Sequence, residues 1–289
     1  MTRFVKSHAL GNDYVVVEQE LLDFPLTPEA VRRLCDRHFG VGSDGLLVRV
    51  PSERAEFGLR IYNPDGSEAE KSGNGLRIFA KYLYDHGHAR REQFTVETPG
   101  GVVRCDVVVR QGRVVEVTVD MGEATFTSTR IPMTGPEREV VDEPLEVAGT
   151  VLRVTAVNVG NPHCVVFTPD LGAVDFHRLG PALERHPAFP QRTNVQFVQV
   201  LGSDRVRIRI WERGAGETLA SGSSACAVAA ACVRRGLTGR QLEVEMDGGV
   251  LRVTVEDGFR LRMSGPASEV YAGQLAPEFV QQLQAAGSA

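Results

Sequence analysis

Two stretches fix the architecture of this chain: Glu68–Arg77, which reads EAEKSGNGLR, and Glu217–Cys226, which reads ETLASGSSAC. Each holds a Ser-Gly pair, Ser72-Gly73 and Ser221-Gly222, with a glutamate four residues upstream. With residue n set beside residue n+149, the chemistry on either side keeps lining up. Gly11-Asn12 falls on Gly160-Asn161, and Arg60-Ile61-Tyr62-Asn63 falls on Arg209-Ile210-Trp211-Glu212. After a slip of one residue, Gly100-Gly101-Val102-Val103-Arg104 meets Gly248-Gly249-Val250-Leu251-Arg252. Several matches in the same order imply two structurally equivalent lobes rather than chance.

Within each lobe the pattern reads as strands followed by a helix. Phe57–Tyr62 and Val206–Trp211 alternate as strands do. After Asn74-Gly75, apolar residues at Leu76, Phe79, Ala80 and Leu83 recur at helical spacing, with Gly87 as the stop. The matching helix, Ala225 to Arg234, is apolar all round and therefore expected to be buried. Val114–Val119 and Leu242–Val255 add further strands. The expected fold class is α+β: two pseudo-symmetric lobes, each a mixed or antiparallel barrel-like sheet wrapped around a central helix, with the active site in the cleft between them. The expected domains are residues 1–122 and 123–266, with 267–289 able to rejoin the first. Gly122 to Thr150 would join the lobes, with Met133-Thr134-Gly135-Pro136 as an exposed loop.

Each repeat places a strand, a tight turn and a helix start at its serine. Free N–H groups at a helix start, aided by the helix dipole, bind carboxylate. Two such helix ends facing one substrate would put Ser72 and Ser221 on opposite faces of the carbon beside its carboxylate. A two-base epimerase needs that arrangement, one group removing the α-proton while the other supplies one from behind. Taken singly, each serine is explained by helix capping, at which serine excels. The twin placement turns the balance, because a cap has no need of a counterpart in the other lobe.

Composition excludes several other classes. A hydrophobic fraction of 42% with 24% charged residues is that of a globular chain with a real core. The net charge of -5, pI about 5.9 and scattered basic pairs argue against nucleic acid as a partner. The longest apolar run, Ala225–Val233, falls far short of the ~20 residues that span a bilayer, so no membrane association is expected. Five cysteines without a C-x-x-C pair point to a reduced, cytoplasmic setting. No metal is expected, because Cys35 with His38 and His163 with Cys164 offer pairs without a completing set. Neither a P-loop nor a strand-anchored G-x-G-x-x-G is present.

At these residues the chain resembles diaminopimelate epimerase, a cofactor-independent amino-acid epimerase. The resemblance runs nearly end to end: Lys6 to Tyr14, Gly40 to Gly45, Tyr62 to Glu68, Ser72 to Arg77, Gly160 to Cys164, Arg192 to Asn194, Trp211 to Thr218 and Gly265 to Ala267. It implies that Asn12, Asn63, Asn161, Asn194, Glu212 and Arg213 grip the substrate, several of them at its distal amino-acid end. Arg213 can hold a carboxylate bidentately and Glu212 can pair with an ammonium. It also implies that the backbone of Gly73-Asn74 and Gly222-Ser223 takes the reacting carboxylate. His163 has two readings, tuning of a proton carrier or a hydrogen-bonded loop histidine. The resemblance further implies a homodimer, with Tyr271 in the contacting segment, and no cofactor.

The departure lies at the centre, since the family's two proton carriers are cysteines where this chain has Ser72 and Ser221. Ser224 also stands where the family usually has glycine. A thiol, with a pKa near ~8.5, gives thiolate at neutral pH, whereas a serine hydroxyl needs an adjacent base. The pair reads either as deliberate replacement, favoured by the intact binding residues, or as native residues with slower or different chemistry. Both give low epimerase activity for the chain as written. Three functions stay open: an epimerase of LL- and meso-diaminopimelate, a racemase of another polar amino acid such as histidine, and a non-catalytic amino-acid-binding protein on the same lobes.

Overall fold

A computed structural model describes residues 2–286. The chain divides into two compact units, one of residues 1–119 with 265–289 and one of residues 120–264.

The first unit begins with β1 (Arg3–Ala9) and β2 (Asn12–Glu18), followed by α1 (Pro28–Cys35), β3 (Leu46–Val50), β4 (Phe57–Tyr62) and the short β5 (Glu68–Ala69). Then come α2 (Gly73–Asp85), β6 (Gln93–Thr98), β7 (Gly101–Arg110) and β8 (Arg113–Glu123). The second unit holds β9 (Glu143–Val147), β10 (Thr150–Asn158), β11 (Pro162–Phe167), α3 (Phe176–Glu184), β12 (Asn194–Val200), β13 (Arg205–Glu212) and β14 (Gly216–Thr218). It continues through α4 (Gly222–Arg234), β15 (Gln241–Met246), β16 (Gly249–Val255) and β17 (Arg260–Gly265). The chain ends with β18 (Ser268–Gln274) and α5 (Pro277–Ala286), which belong to the first unit.

The pairing pattern of the two units is the same. In the first, β1–β2 is antiparallel, β2–β3 parallel, β3–β4 antiparallel, β4–β6 parallel, and β6–β7 and β7–β8 antiparallel. In the second, β10–β11, β11–β12, β12–β13, β13–β15, β15–β16 and β16–β17 repeat that series step for step. Parallel neighbours need a crossover rather than a hairpin. Those crossovers are α1 and α3 in one position, α2 and α4 in the other. Beyond β1 and β10 the rows are extended by different means: β18 pairs with β1, and β9 pairs with β10, both antiparallel.

The crossover helices form the two sides of each core. Thr27 caps α1 by accepting the Ala30 N–H at 3.2 Å, Pro28 supplies the first turn, and Ala30, Val31, Leu34 and Cys35 are buried. They pack with Val15, Val17, Leu46 and Val48 in one cluster. The matching cluster in the second unit sets Phe176, Leu179 and Leu183 of α3 against Val166, Val195 and Phe197. On the other side, α2 touches β1, β2 and β18 and also β7, while α4 touches β10, β11 and β12 and also β15 and β16. Each sheet thus curls round its helix, in keeping with the expected barrel-like lobe. Ala225 to Cys232 are all buried, as an all-round apolar helix requires.

The segment before β9 departs from a plain connector. Thr134–Glu137 is exposed, but Ile131, Met133 and Val140 on either side are buried in the second unit's core. Their apolar side chains hold the loop's two ends, and its exposed tip is tied by the Thr134 N–H to the Ala188 carbonyl at 2.9 Å.

Candidate active site

The first half-site is built at the start of α2. Ser72 is extended (φ -138°, ψ 119°), and its Oγ accepts the Gly75 N–H at 3.0 Å. The Leu76 N–H bonds the Ser72 carbonyl at 2.8 Å. Among the described residues, the N–H groups of Gly73 and Asn74 are therefore the helix-start donors left unspent. A side chain at Gly75 would be tight, since a Cβ there would lie 3.0 Å from Leu47 Cδ2 and 3.3 Å from Ser72 Oγ.

A line of side-chain bonds steadies this turn. Arg77, fully buried, donates to Asn74 Oδ1 at 2.9 Å; Asn74 Nδ2 donates to Asn12 Oδ1 at 3.0 Å; Asn12 Nδ2 donates to Asp44 Oδ2 at 3.1 Å. Asp44 and Asp13 share Arg37, at 2.7 and 2.8 Å, and Asp13 also pairs with Lys6. Burial pushes the Asp13 carboxyl up, but Arg37 and Lys6 outweigh it and hold the pKa at about 2. The Tyr14 hydroxyl lies 3.3 Å from Ser72 Oγ. Asn63 stands apart in an exposed turn, where its Nδ2 donates to Ser67 Oγ at 2.9 Å.

The second half-site repeats the frame at α4. Ser221 is extended (φ -145°, ψ 121°), its Oγ 3.4 Å from the Ser224 nitrogen, and the Ala225 N–H bonds the Ser221 carbonyl at 3.0 Å. Gly222 and Ser223 thus match Gly73 and Asn74 as bearers of the free helix-start donors. Ser223 Oγ is 3.4 Å from Ser221 Oγ. Glu212, half-buried, faces the Ser221 and Thr218 hydroxyls; burial pushes its carboxyl up, and those hydroxyls pull it back in part.

Asn161, His163, Asn194 and Arg213 form the rest. His163, fully buried, has its Nε2 2.8 Å from Asn161 Oδ1 and its Nδ1 3.0 Å from Gln196 Nε2. Burial drives its pKa down to about 3, so the imidazole is neutral at physiological pH. His163 is hydrogen-bonded at both ring nitrogens and sits on β11 rather than in a loop. Asn194 is buried with both ends engaged: Nδ2 donates to the Pro162 carbonyl and Oδ1 accepts the Arg213 N–H, each at 3.0 Å. It thereby fixes the backbone that carries Arg213, whose exposed guanidinium bonds the Gln191 carbonyl at 3.2 Å.

The glutamates upstream of the serines are turn-builders, because Glu68 grips Arg60 at 2.8 and 2.7 Å and Glu217 grips Arg209 at 2.7 Å. All five cysteines are free and buried, and burial pushes the thiols of Cys105, Cys164 and Cys232 up to about 12. Those three hold no thiolate at neutral pH, and the serines hold the helix starts. Sequence reasoning gives no role to Tyr14, Gln196 or Arg77. Tyr14 ends the motif that begins at Lys6, but only its fold-dependent reach to Ser72 marks it.

The sequence profile described as diaminopimelate epimerase matches residues 4–127 and 155–270. The chain is 49% identical over 273 residues to the diaminopimelate epimerase of Pelotomaculum thermopropionicum, covering 94% of this chain and 98% of that one. It is 45% identical to diaminopimelate epimerase 2 of a Nostoc species, covering 96% of each. Among solved structures it is similar to a probable proline racemase from Agrobacterium radiobacter, with a TM-score of 0.71, 16% identity and full coverage of both chains. A hydroxyproline epimerase from Agrobacterium vitis also gives 0.71, with 16% identity, covering 96% of this chain and 94% of that one. At such identities these structures speak for the fold alone, and the α+β architecture of two like halves is theirs as well. The full-length sequence relatives carry the assignment: this chain belongs to the diaminopimelate epimerase family.

Proposed function

We propose that this chain is an isomerase that interconverts LL- and meso-diaminopimelate by proton transfer at the α-carbon without a cofactor. Ser72 and Ser221 stand as the two proton carriers. The observation that carries the reading is the pair of serine-capped helix starts, each offering two unspent N–H groups on the same frame. Removing an α-proton drives negative charge into the adjoining carboxylate. Gly73-Asn74 in one unit and Gly222-Ser223 in the other each offer fixed donors of the kind that hold such charge, which stabilise a transition state more than a ground state.

Asn12, Asn63, Asn161, Asn194, Glu212 and Arg213 suit a substrate with a second polar head. A small apolar ligand would leave the Arg213 guanidinium and the Asn161 amide nitrogen without a counterpart, whereas Asn12, Asn63 and Asn194 already bond protein groups. The carriers themselves make the reaction slow. Neither hydroxyl ionises at neutral pH, and the groups seen against them are the Tyr14 hydroxyl for Ser72 and the Ser223 hydroxyl and Glu212 carboxyl for Ser221. The same two hydroxyls favour, as a second reading, a protein that binds the amino acid without turning it over. We further propose a homodimer working in the cytoplasm, consistent with five unpaired cysteines.

Calorimetry with LL-diaminopimelate, followed by incubation in heavy water, tests both statements. Binding with slow deuterium uptake at the α-carbon is expected. Rapid uptake would refute the slow chemistry, and no binding would refute the substrate.

A further inference from the structure

The two halves share a frame, and three positions inside it differ together. Tyr14, Leu47 and Gly75 of the first unit correspond, at the offset of 149, to His163, Gln196 and Ser224 of the second. In the first unit Leu47 fills the space against Gly75, and Tyr14 reaches Ser72 directly. In the second, the apolar contact is replaced by hydrogen bonds. Gln196 Nε2 lies 3.0 Å from His163 Nδ1 and 2.9 Å from Ser224 Oγ, and all three side chains are fully buried. Ser224 N–H faces Ser221 Oγ, and His163 Nε2 meets Asn161 Oδ1. An unbroken line therefore runs Asn161, His163, Gln196, Ser224, Ser221.

The direction of that line follows from what each group can do. An amide nitrogen only donates, so His163 Nδ1 accepts and the ring proton sits on Nε2. The Nε2–H then donates to Asn161 Oδ1, which leaves the Asn161 NH2 as the side-chain group able to meet a ligand. Gln196 Oε1 is left buried without a partner. Turning the amide over would bury an unpaired NH2 instead, and orphaned donors are rarer in folded proteins than orphaned carbonyls.

We propose that Gln196 and Ser224 are positioning residues that fix the tautomer of His163 and thereby make Asn161 a donor toward the substrate. The Asn161 position is in consequence keyed to an acceptor, such as a carboxylate oxygen, rather than to an ammonium. This rests on the epimerase reading for the identity of the ligand, while the tautomer is a property of the unliganded chain.

Nitrogen NMR of the full chain labelled with 15N-histidine reads it, with His163 assigned by the signal lost in His163→Gln. The unaltered chain should show the Nε2–H tautomer. Gln196→Glu supplies an acceptor in place of a donor and should move the proton to Nδ1. LL-diaminopimelate should bind about tenfold more weakly to Gln196→Glu, the loss expected for one misdirected hydrogen bond. Ser224→Ala, the milder change should Gln196→Glu fold poorly, frees one amide hydrogen and should give a mixture of tautomers. An Nδ1–H ring in the unaltered chain, or one unmoved by Gln196→Glu, overturns the proposal. A failure of the unaltered chain to bind diaminopimelate would sink the substrate reading and leave the tautomer result standing.

Discussion

Changing Ser72 and Ser221 together to cysteine should trade a little stability for a large gain in rate. Each serine oxygen serves as a cap, 3.0 Å from the Gly75 nitrogen and 3.4 Å from the Ser224 nitrogen. A lost cap costs about 1 kcal/mol, and the longer contact less. The pair together should cost about 1–2 kcal/mol, or a fall in Tm of about 2–8 °C for units of this size. Against that, a thiol near its ordinary pKa is about one-tenth ionised at pH 7.5, and a helix start raises that share. A competent proton carrier accelerates a reaction by about 10²–10⁴-fold. Stereoinversion should therefore rise at least about 100-fold. The single variants should gain little, because inversion needs one group to take a proton and another to return one. Chiral chromatography of LL- and meso-diaminopimelate gives the inversion rate, and proton NMR in heavy water gives the exchange rate. A folded double variant no faster than the starting chain, or a single variant equal to the double, would refute the two-carrier reasoning.

Two further outcomes follow from the charged groups. Burial raises the Glu212 carboxyl, so the native state holds that proton more tightly than the unfolded chain does, and ionising it costs stability as pH rises through the carboxylate range. Glu212→Gln should therefore raise Tm at pH 8 more than at pH 4; an equal effect at both would show that the charge is not penalised. Asp13 is the opposite case, held at about 2 against burial by Arg37 and Lys6, so its contribution is present above the ordinary carboxylate range and lost as pH falls toward that value. Thermal scans should show Asp13→Asn less stable at neutral pH, with the gap closing in acid; a gap independent of pH would count against the ion pairs.

Much of the fold is legible because the repeat is nearly exact. The offset carries Gly73–Asp85 onto Gly222–Arg234 residue for residue, and the one-residue slip carries Gln93–Thr98 onto Gln241–Met246. Strand periodicity serves less well in β12, whose first five residues are all buried and show no alternation. The two serine turns are legible for the same reason as the helices: the twin positions expose them. Gln196 is not, since a glutamine inside a strand gives no sign of its partners until β11, β12 and α4 are brought together. Nor is the division of labour among the asparagines. Asn194 and Asn63 have the same side chain, yet one is buried as a backbone brace and the other is bonded to Ser67 in an exposed turn. Motif membership names such residues without saying which atoms are already committed.

The strand that pairs with β1 bears on how the molecule is made. Within the second unit, β9 directly precedes its neighbour β10, so that half can complete its sheet soon after leaving the ribosome. The first half must wait for β18, translated after the whole of the other unit. At ~5–20 residues per second, β1 keeps an unpaired hydrogen-bonding edge for roughly ten seconds or more. Such an edge invites pairing with other nascent chains. Assembly of this protein is thus paced by its last strand, and the interval before that strand arrives is when chaperones would matter most.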